Sequence, residues 1–251
     1  HFGPERVSEL HLHEQFGTAE LVLDGLLLDV ASARTESYPA PGENPLVVAG
    51  SLEQDLARRD FTVNAMALVF RADGSHYLCD PHRGREHLAK RQLVFLHEVS
   101  VADDPSRILR GARYGARLGF QLAPDALEQI QSTLAVWPWA WRPGDCVDAV
   151  PPALGTRLRM ELELLLDREP WHEALMLLQQ WSAMPLLDRG LQRDSRLSRR
   201  LVQGMRLGLP ALVVLVAEAS NPVSLASRLQ IPRQQQIWLG QLMDCRQWLN
   251  D

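Results

Sequence analysis

The sequence has few cysteines, the residues that mark zinc-knuckle and disulfide-stabilised proteins. Only three cysteines, Cys79, Cys146 and Cys245, occur in 251 residues, and no two of them form a Cys-x-x-Cys pair. This spacing argues against a zinc knuckle and against a dithiol redox motif. The simplest location for such a chain is a reducing cytoplasm.

Long apolar runs are also missing, so the sequence predicts no membrane-spanning helix. The net charge of −5 argues against a protein that coats nucleic acid over its whole surface, but it is compatible with a local basic groove. The first residue is His1, inside a polar segment, and from this we expect the chain to be a piece of a longer protein.

Two kinds of elements follow one another along the chain. Apolar segments joined at Asp24-Gly25 and at Asp73-Gly74 predict two β-hairpins. After about residue 100, apolar residues recur at helical spacing. We therefore expect an α+β fold, with a hairpin-rich domain over residues 1–100 and an all-helical domain over residues 101–251. The predicted helices are Asp103–Leu118, Pro124–Leu134, Pro152–Leu166, Trp171–Gln180, Asp194–Leu207 and Gln234–Leu249.

A cluster of polar residues precedes one predicted strand. Arg58 and Arg59 are adjacent, and Asp60 and Asn64 follow them. Forked guanidinium groups can pair with two phosphate oxygens at once, and the Asp and Asn side chains suit ribose hydroxyls. The alternative interpretation is a surface salt-bridge cluster.

Two further motifs carry polar residues. Asp80 and Gly84 enclose a Pro-containing turn, which by itself indicates only a change of chain direction. The second motif contains Asp103, Asp104 and Pro105, and predicts a helix capped by Asp104. Its arginines at helical spacing form either a basic face that lines a nucleotide or RNA cleft, or a solvated face. They are Arg107, Arg110, Arg113 and Arg117.

Taken in order, these motifs resemble those of class II CCA-adding tRNA nucleotidyltransferases and bacterial poly(A) polymerases. The resemblance extends over residues 10 to about 190. It implies an incomplete polymerase-β-like nucleotidyltransferase domain followed by a helical neck and body. The matching segments are Phe16–Ala19, Asp29–Glu36, Arg58–Ala65, Asp80–Gly84, Asp103–Arg107 and Arg157–Leu166.

The resemblance also implies roles for individual residues. Asp104 and Arg107 match the pair that selects the incoming base, with Asp103 in place of a more usual Glu. Arg58 and Arg59 match the contacts to triphosphate and sugar, with Asp60 and Asn64 near the ribose. Arg110 and Arg113 would add positive charge near the triphosphate. Asp80 and Gly84 match a motif whose role is conformational.

The implied reaction adds CMP or AMP from CTP or ATP to the tRNA 3′ end without a template, as full CCA, only CC or only A. It requires Mg²⁺. The family's metal-binding Asp-x-Asp pair occurs nowhere in this chain. We therefore expect the chain to be inactive alone. Asp29 is a candidate metal ligand, or else an inert carboxylate at a strand end.

Several alternatives stay open. Poly(A) addition is one, and a non-catalytic helical RNA-binding protein derived from this fold is another. Arg196, Arg199 and Arg200 lie in a basic stretch that contacts tRNA phosphates or is simply solvated. Trp137, Trp139 and Trp141 are candidates for stacking on RNA or for packing on helices.

Overall fold

A computed structural model of the protein describes residues 6–13, 17–136 and 150–250. Phe16 and the three tryptophans Trp137, Trp139 and Trp141 lie outside the described residues. The strands are concentrated before residue 94. They are β1 (Val7–His13), β2 (Thr18–Leu23), β3 (Leu26–Ala31), β4 (Arg34–Ser37), β5 (Leu46–Ala49), β6 (Ala67–Phe70), β7 (His76–Cys79), β8 (Gln92–Leu93) and β9 (Gln121–Leu122).

The predicted hairpins are confirmed. Strands β2 and β3 pair antiparallel with Leu23 opposite Leu26, and β1 pairs with the other edge of β2. Asp24 and Gly25 both have positive φ, which is the backbone that a two-residue turn between such strands requires. The second predicted hairpin is formed by β6 and β7.

A third antiparallel pair, β4 with β5, brackets the loop over residues 38–45. The helix α1 (Leu52–Ala57) follows. It begins with a capping box in which Ser51 and Gln54 each bond to the other's backbone amide. This box fixes where the helix starts, and so it fixes which side chains face inward. A 3-10 turn over Thr62–Asn64 and α2 (Gly84–Ala89) complete the strand-rich part.

Helices dominate the remainder, and the predicted α+β fold class is confirmed. The helices are α3 (Ser100–Asp103), α4 (Ser106–Leu118), α5 (Pro124–Ala135), α6 (Thr156–Arg168), α7 (Trp171–Gln180), α8 (Leu197–Arg206), α9 (Ala211–Ala217), α10 (Pro222–Arg228) and α11 (Arg233–Asn250). Sequence periodicity did not indicate α9, because its seven residues are all apolar and all buried.

The helix predicted over Asp103–Leu118 is divided in the structure. α3 ends at Asp103, and α4 begins at Ser106 with Pro105 in the cap position. Asp104, in extended conformation between them, accepts a hydrogen bond from the Ser106 amide at 3.0 Å. The capping bond predicted for Asp104 is therefore present, although the cap residue itself is assigned one position later.

The hydrophobic core lies among the helices and reaches back into the strand-rich part. Phe61, Leu93 and Phe95 share one buried cluster with Ile108 and Leu109 of α4. This packing holds the segment carrying Arg58 to Asn64 against the first turns of α4. The division at residue 100 stays a prediction. Among the described residues, no helix combines the length and apolar character needed to cross a membrane.

Candidate functional site

A polar cleft of about 560 Å³ opens where the strand-rich part meets α4 and α6. Residues from five separate segments meet there. Its lining consists of Arg34, Glu36, Tyr38, Pro45, Arg58, Arg59, Asp60, Asn64, Asp104, Arg107, Arg110, Tyr114 and Arg157. Seven of the residues predicted from sequence line this cleft: Arg58, Arg59, Asp60, Asn64, Asp104, Arg107 and Arg110.

Arg58 and Arg59 are organised by a carboxylate in the preceding helical turn. Asp55, which is buried, accepts from Arg58 Nη2 at 2.6 Å and from Arg59 Nη2 at 2.8 Å. Arg58 also donates to Glu36 at 2.8 Å. Burial would raise the pKa of Asp55, but the hydrogen bonds from Arg59 and Arg58 outweigh it and hold this pKa below its usual value.

Asp60 is buried and joins two parts of the cleft. One carboxylate oxygen accepts from the Phe61 amide at 2.8 Å and from Asn64 Nδ2 at 2.9 Å. The other lies 2.9 Å from Arg110 Nη2 on α4. Burial would lower the pKa of Arg110, but the Asp60 carboxylate overcomes this and the pKa lies above the ordinary value. Arg110 is therefore a fixed positive charge at the cleft wall.

Asp104 is held at both carboxylate oxygens. Oδ1 accepts from the amide and the hydroxyl of Ser106, and Oδ2 lies 3.0 Å from Arg157 Nη1 on α6. Arg157 also donates to Asn44 Oδ1 at 2.7 Å, so one guanidinium ties α6 to the β4–β5 loop and to Asp104.

Arg107 lines the cleft but is almost fully buried. Its guanidinium donates to the hydroxyl of Ser100 and to the backbone oxygen of Arg58, the latter at 3.1 Å. A longer contact of 3.5 Å reaches the hydroxyl of Tyr38. Arg107 thus connects α3, α4 and the end of α1 directly behind the cleft.

The four arginines predicted to share one helical face divide between two environments. Arg110 faces the cleft, whereas Arg113 pairs with Glu161 and, at 3.3 Å, with Glu169. Arg117 also reaches Glu169 at 3.3 Å. Arg113 is therefore engaged with carboxylates of the helical region and is not among the residues that line the cleft.

Asp80 and Gly84 lie beside the cleft segment and not within its lining. Asp80 accepts from the amides of Gly84 and Arg85 at 2.6 and 3.0 Å, which caps α2. A Cβ on Gly84 would come within 2.4 Å of the Thr62 carbonyl oxygen, so only glycine allows α2 to pack here. The pair supports the 3-10 turn that carries Asn64.

Asp103 lines a neighbouring pocket together with His97. Burial raises the pKa of the Asp103 carboxyl. Burial, together with the positive charge of Arg107, lowers the pKa of His97.

The remaining candidates lie elsewhere. Asp29 is exposed on β3, opposite Glu20 of β2. Arg196 and Arg199 are exposed near the start of α8, and Arg200 pairs with Asp194 and Glu218. The RNA contacts expected of these three arginines stay a prediction.

The motifs did not single out Asp55, Glu36, Tyr38, Tyr114 or the Arg157 contact to Asp104. A signal did exist for Asp55. Arg58 and Arg59 follow it by three and four residues, and side chains at these spacings share one face of a helix. The contact between Arg157 and Asp104 crosses more than fifty residues of sequence and has no local signal.

Comparison with known proteins bears on the same segments. Residues 2–94 match the family described as the poly A polymerase head domain. Over 176 residues, 70% of this chain, the sequence is 40% identical to a CC-adding tRNA nucleotidyltransferase of Deinococcus radiodurans. It is 32% identical over 192 residues, 76% of the chain, to an A-adding tRNA nucleotidyltransferase of Aquifex aeolicus.

The alignments cover 43% and 22% of these two proteins, so the chain spans less than half the length of either relative. A solved structure of a CCA-adding enzyme in an apo form superposes with a TM-score of 0.70 at 25% identity. It covers 94% of this chain and 57% of the other. The family resemblance seen in the motifs is confirmed.

Proposed function

We propose that this chain forms the nucleotide-binding part of an RNA-terminal nucleotidyltransferase that adds CMP or AMP to the tRNA 3′ end. The observation that carries the proposal is the convergence of Arg59, Arg110 and Asp104 in one cleft of about 560 Å³. Guanidinium groups suit a triphosphate, and a carboxylate suits a base with an exocyclic amine. The names of the relatives, CC-adding and A-adding, support the same nucleotides.

Base choice in this proposal belongs to Asp104 and Arg107. A carboxylate accepts from the exocyclic amine of cytosine or adenine, whereas uracil presents a carbonyl at that position and meets the carboxylate unfavourably. Arg58, Arg59 and Arg110 would supply positive charge near the phosphates, which all four nucleotides share. Asp60 and Asn64 would face the ribose. The same chemistry serves addition of full CCA, of CC or of A alone.

The reaction would be attack of the RNA 3′-hydroxyl on the α-phosphate of the nucleotide, with release of pyrophosphate. Nucleotidyltransferases of this family generally use a divalent metal. Mg²⁺ would supply charge stabilisation during this transfer.

Within the described ranges, no three His, Cys, Asp or Glu side chains form a group that could hold a metal ion. The cleft carboxylates Glu36, Asp60 and Asp104 are paired with arginines, and so is the neighbouring Asp55. The residues described here therefore do not fit a metal site by themselves, and Asp29 stays a candidate for one ligand.

Two alternatives are kept. Poly(A) addition is favoured by the description of the matched head domain. A non-catalytic RNA-binding role would leave the cleft without base preference. Location in the cytoplasm and contact of Arg196, Arg199 and Arg200 with tRNA are part of the proposal.

Calorimetric titration of the 251-residue chain with ATP, CTP, GTP and UTP tests the nucleotide site. We expect measurable binding, with ATP or CTP preferred over UTP. Binding of tRNA that lacks its 3′ end, compared with mature tRNA, tests the RNA partner. A chain that binds no nucleotide, or binds all four alike, would contradict the proposal.

A further inference from the structure

The adjacent arginines at the end of α1 have unequal environments. Arg58 is one-fifth exposed, and its guanidinium donates through all three nitrogens to two carboxylates, Asp55 and Glu36. Arg59 is 43% exposed and has one ion pair, to Asp55, plus a long contact of 3.5 Å to the backbone oxygen of Asn64. Two identical side chains therefore differ in how much of the guanidinium faces the cleft.

Asp55 is the residue common to both. One oxygen, Oδ1, serves Arg58 at 2.6 and 3.0 Å and also accepts from the Arg34 amide at 3.3 Å. The other oxygen, Oδ2, serves Arg59 at 2.8 Å. Because the carboxylate is buried and anchored on the Arg58 side, Oδ2 is a fixed point from which the Arg59 guanidinium extends into the cleft.

We propose that Asp55 is a positioning residue that aims Arg59 at the nucleotide triphosphate, while Arg58 braces the Asp55 carboxylate and makes little phosphate contact. This inference rests on the proposed nucleotide-binding function and assigns different tasks to two residues that share one motif. An arginine ordered before its ligand arrives avoids the entropic cost of ordering on binding, so its phosphate contact contributes more affinity. Asp55 would thus act through Arg59 without touching the nucleotide.

A double-substitution cycle separates this role from a general structural one. Affinity for ATP and for inorganic tripolyphosphate would be measured for the wild-type chain, Asp55→Asn, Arg59→Gln and the double variant. We expect each single change to weaken binding of both probes by about tenfold. In the Arg59→Gln background, Asp55→Asn should change the affinity by less than about twofold, because its effect runs through Arg59.

Glu86→Gln is a matched control, because Glu86 also holds cations three residues before and four residues after it, Arg83 and Lys90, but it lies on α2 away from the cleft. It should leave both affinities unchanged. If the effects of Asp55→Asn and Arg59→Gln simply multiply, Asp55 has a general structural role and the proposal is overturned.

A second comparison does not require Asp55→Asn to fold. Arg58→Gln should weaken tripolyphosphate binding much less than Arg59→Gln, since Asp55 still holds Arg59. Equal losses would overturn the division of tasks. If the wild-type chain binds neither ATP nor tripolyphosphate, the proposed nucleotide site fails and this proposal with it. If the wild-type chain binds both probes but the effects of Asp55→Asn and Arg59→Gln multiply, only the role of Asp55 is refuted.

Discussion

Replacement of Asp104 by Asn tests whether its carboxylate reads the base. Oδ1 bonds to the Ser106 amide at 3.0 Å, a bond that an amide oxygen can also accept. Oδ2 faces Arg157 at 3.0 Å, and here Asn would present its NH₂ group, because its single oxygen accepts from Ser106. The substitution thus keeps the helix cap and removes the charge at the cleft wall.

The substitution has three measurable consequences. Retention of the cap should limit the loss in helix capping to a few tenths of a kcal/mol. Loss of a charge-assisted bond to Arg157 in a mostly buried site should cost about 1–3 kcal/mol of unfolding free energy. Loss of one base-facing partner should reduce the preference for CTP or ATP over UTP by roughly 1–3 kcal/mol, or about 5- to 150-fold.

Competitive titration with CTP, ATP and UTP measures the preference, and urea unfolding measures the stability. Asp125→Asn is the control, because Asp125 is an exposed carboxylate in the first turn of α5 and lies outside the cleft lining. It should change neither quantity appreciably. If Asp104→Asn retains the full preference over UTP, the carboxylate is a cap and an anchor for Arg157, and the base-selecting role is wrong.

Three further outcomes are expected. The free energy of unfolding should fall as the pH drops below about 6.5, because burial of His97 and its neighbour Arg107 lower the pKa of that ring and so favour protonation of the unfolded chain. His97→Gln should reduce this fall in urea titrations at about pH 7.5 and about pH 5.5, and an unchanged fall would refute the assignment. Gly84→Ala should lower the unfolding free energy by about 2 kcal/mol or more, because the added Cβ clashes with the Thr62 carbonyl. Gly240→Ala on α11 is the control, and it should raise the unfolding free energy by up to about 1 kcal/mol because open space surrounds that position. Similar effects from both substitutions would contradict the packing argument. The 251-residue chain should not incorporate labelled CTP or ATP into tRNA lacking its 3′ end with Mg²⁺, because it contains no Asp-x-Asp pair, and robust turnover would refute this.

Local chemistry in the sequence was sufficient for several features. The Asp-Gly turns predicted both hairpins, because such turns need a positive φ, which few residues other than Gly, Asn and Asp adopt. The hydrogen-bonding side chain of Asp104 predicted the start of a helix. The order of three short motifs predicted the family, since each motif has a fixed place along the chain.

Other features depended on which segments meet in three dimensions. Spacing placed Arg110 and Arg113 on one face of α4, but spacing does not reveal what lies opposite. Asp60 directs Arg110 into the cleft, whereas Glu161 and Glu169 draw Arg113 away from it. The energy of a charge depends on its neighbours and on its exposure, and both are properties of the packed molecule. The sequence alone therefore predicted which residues carry the chemistry, and the tertiary structure decided which of them line the cleft.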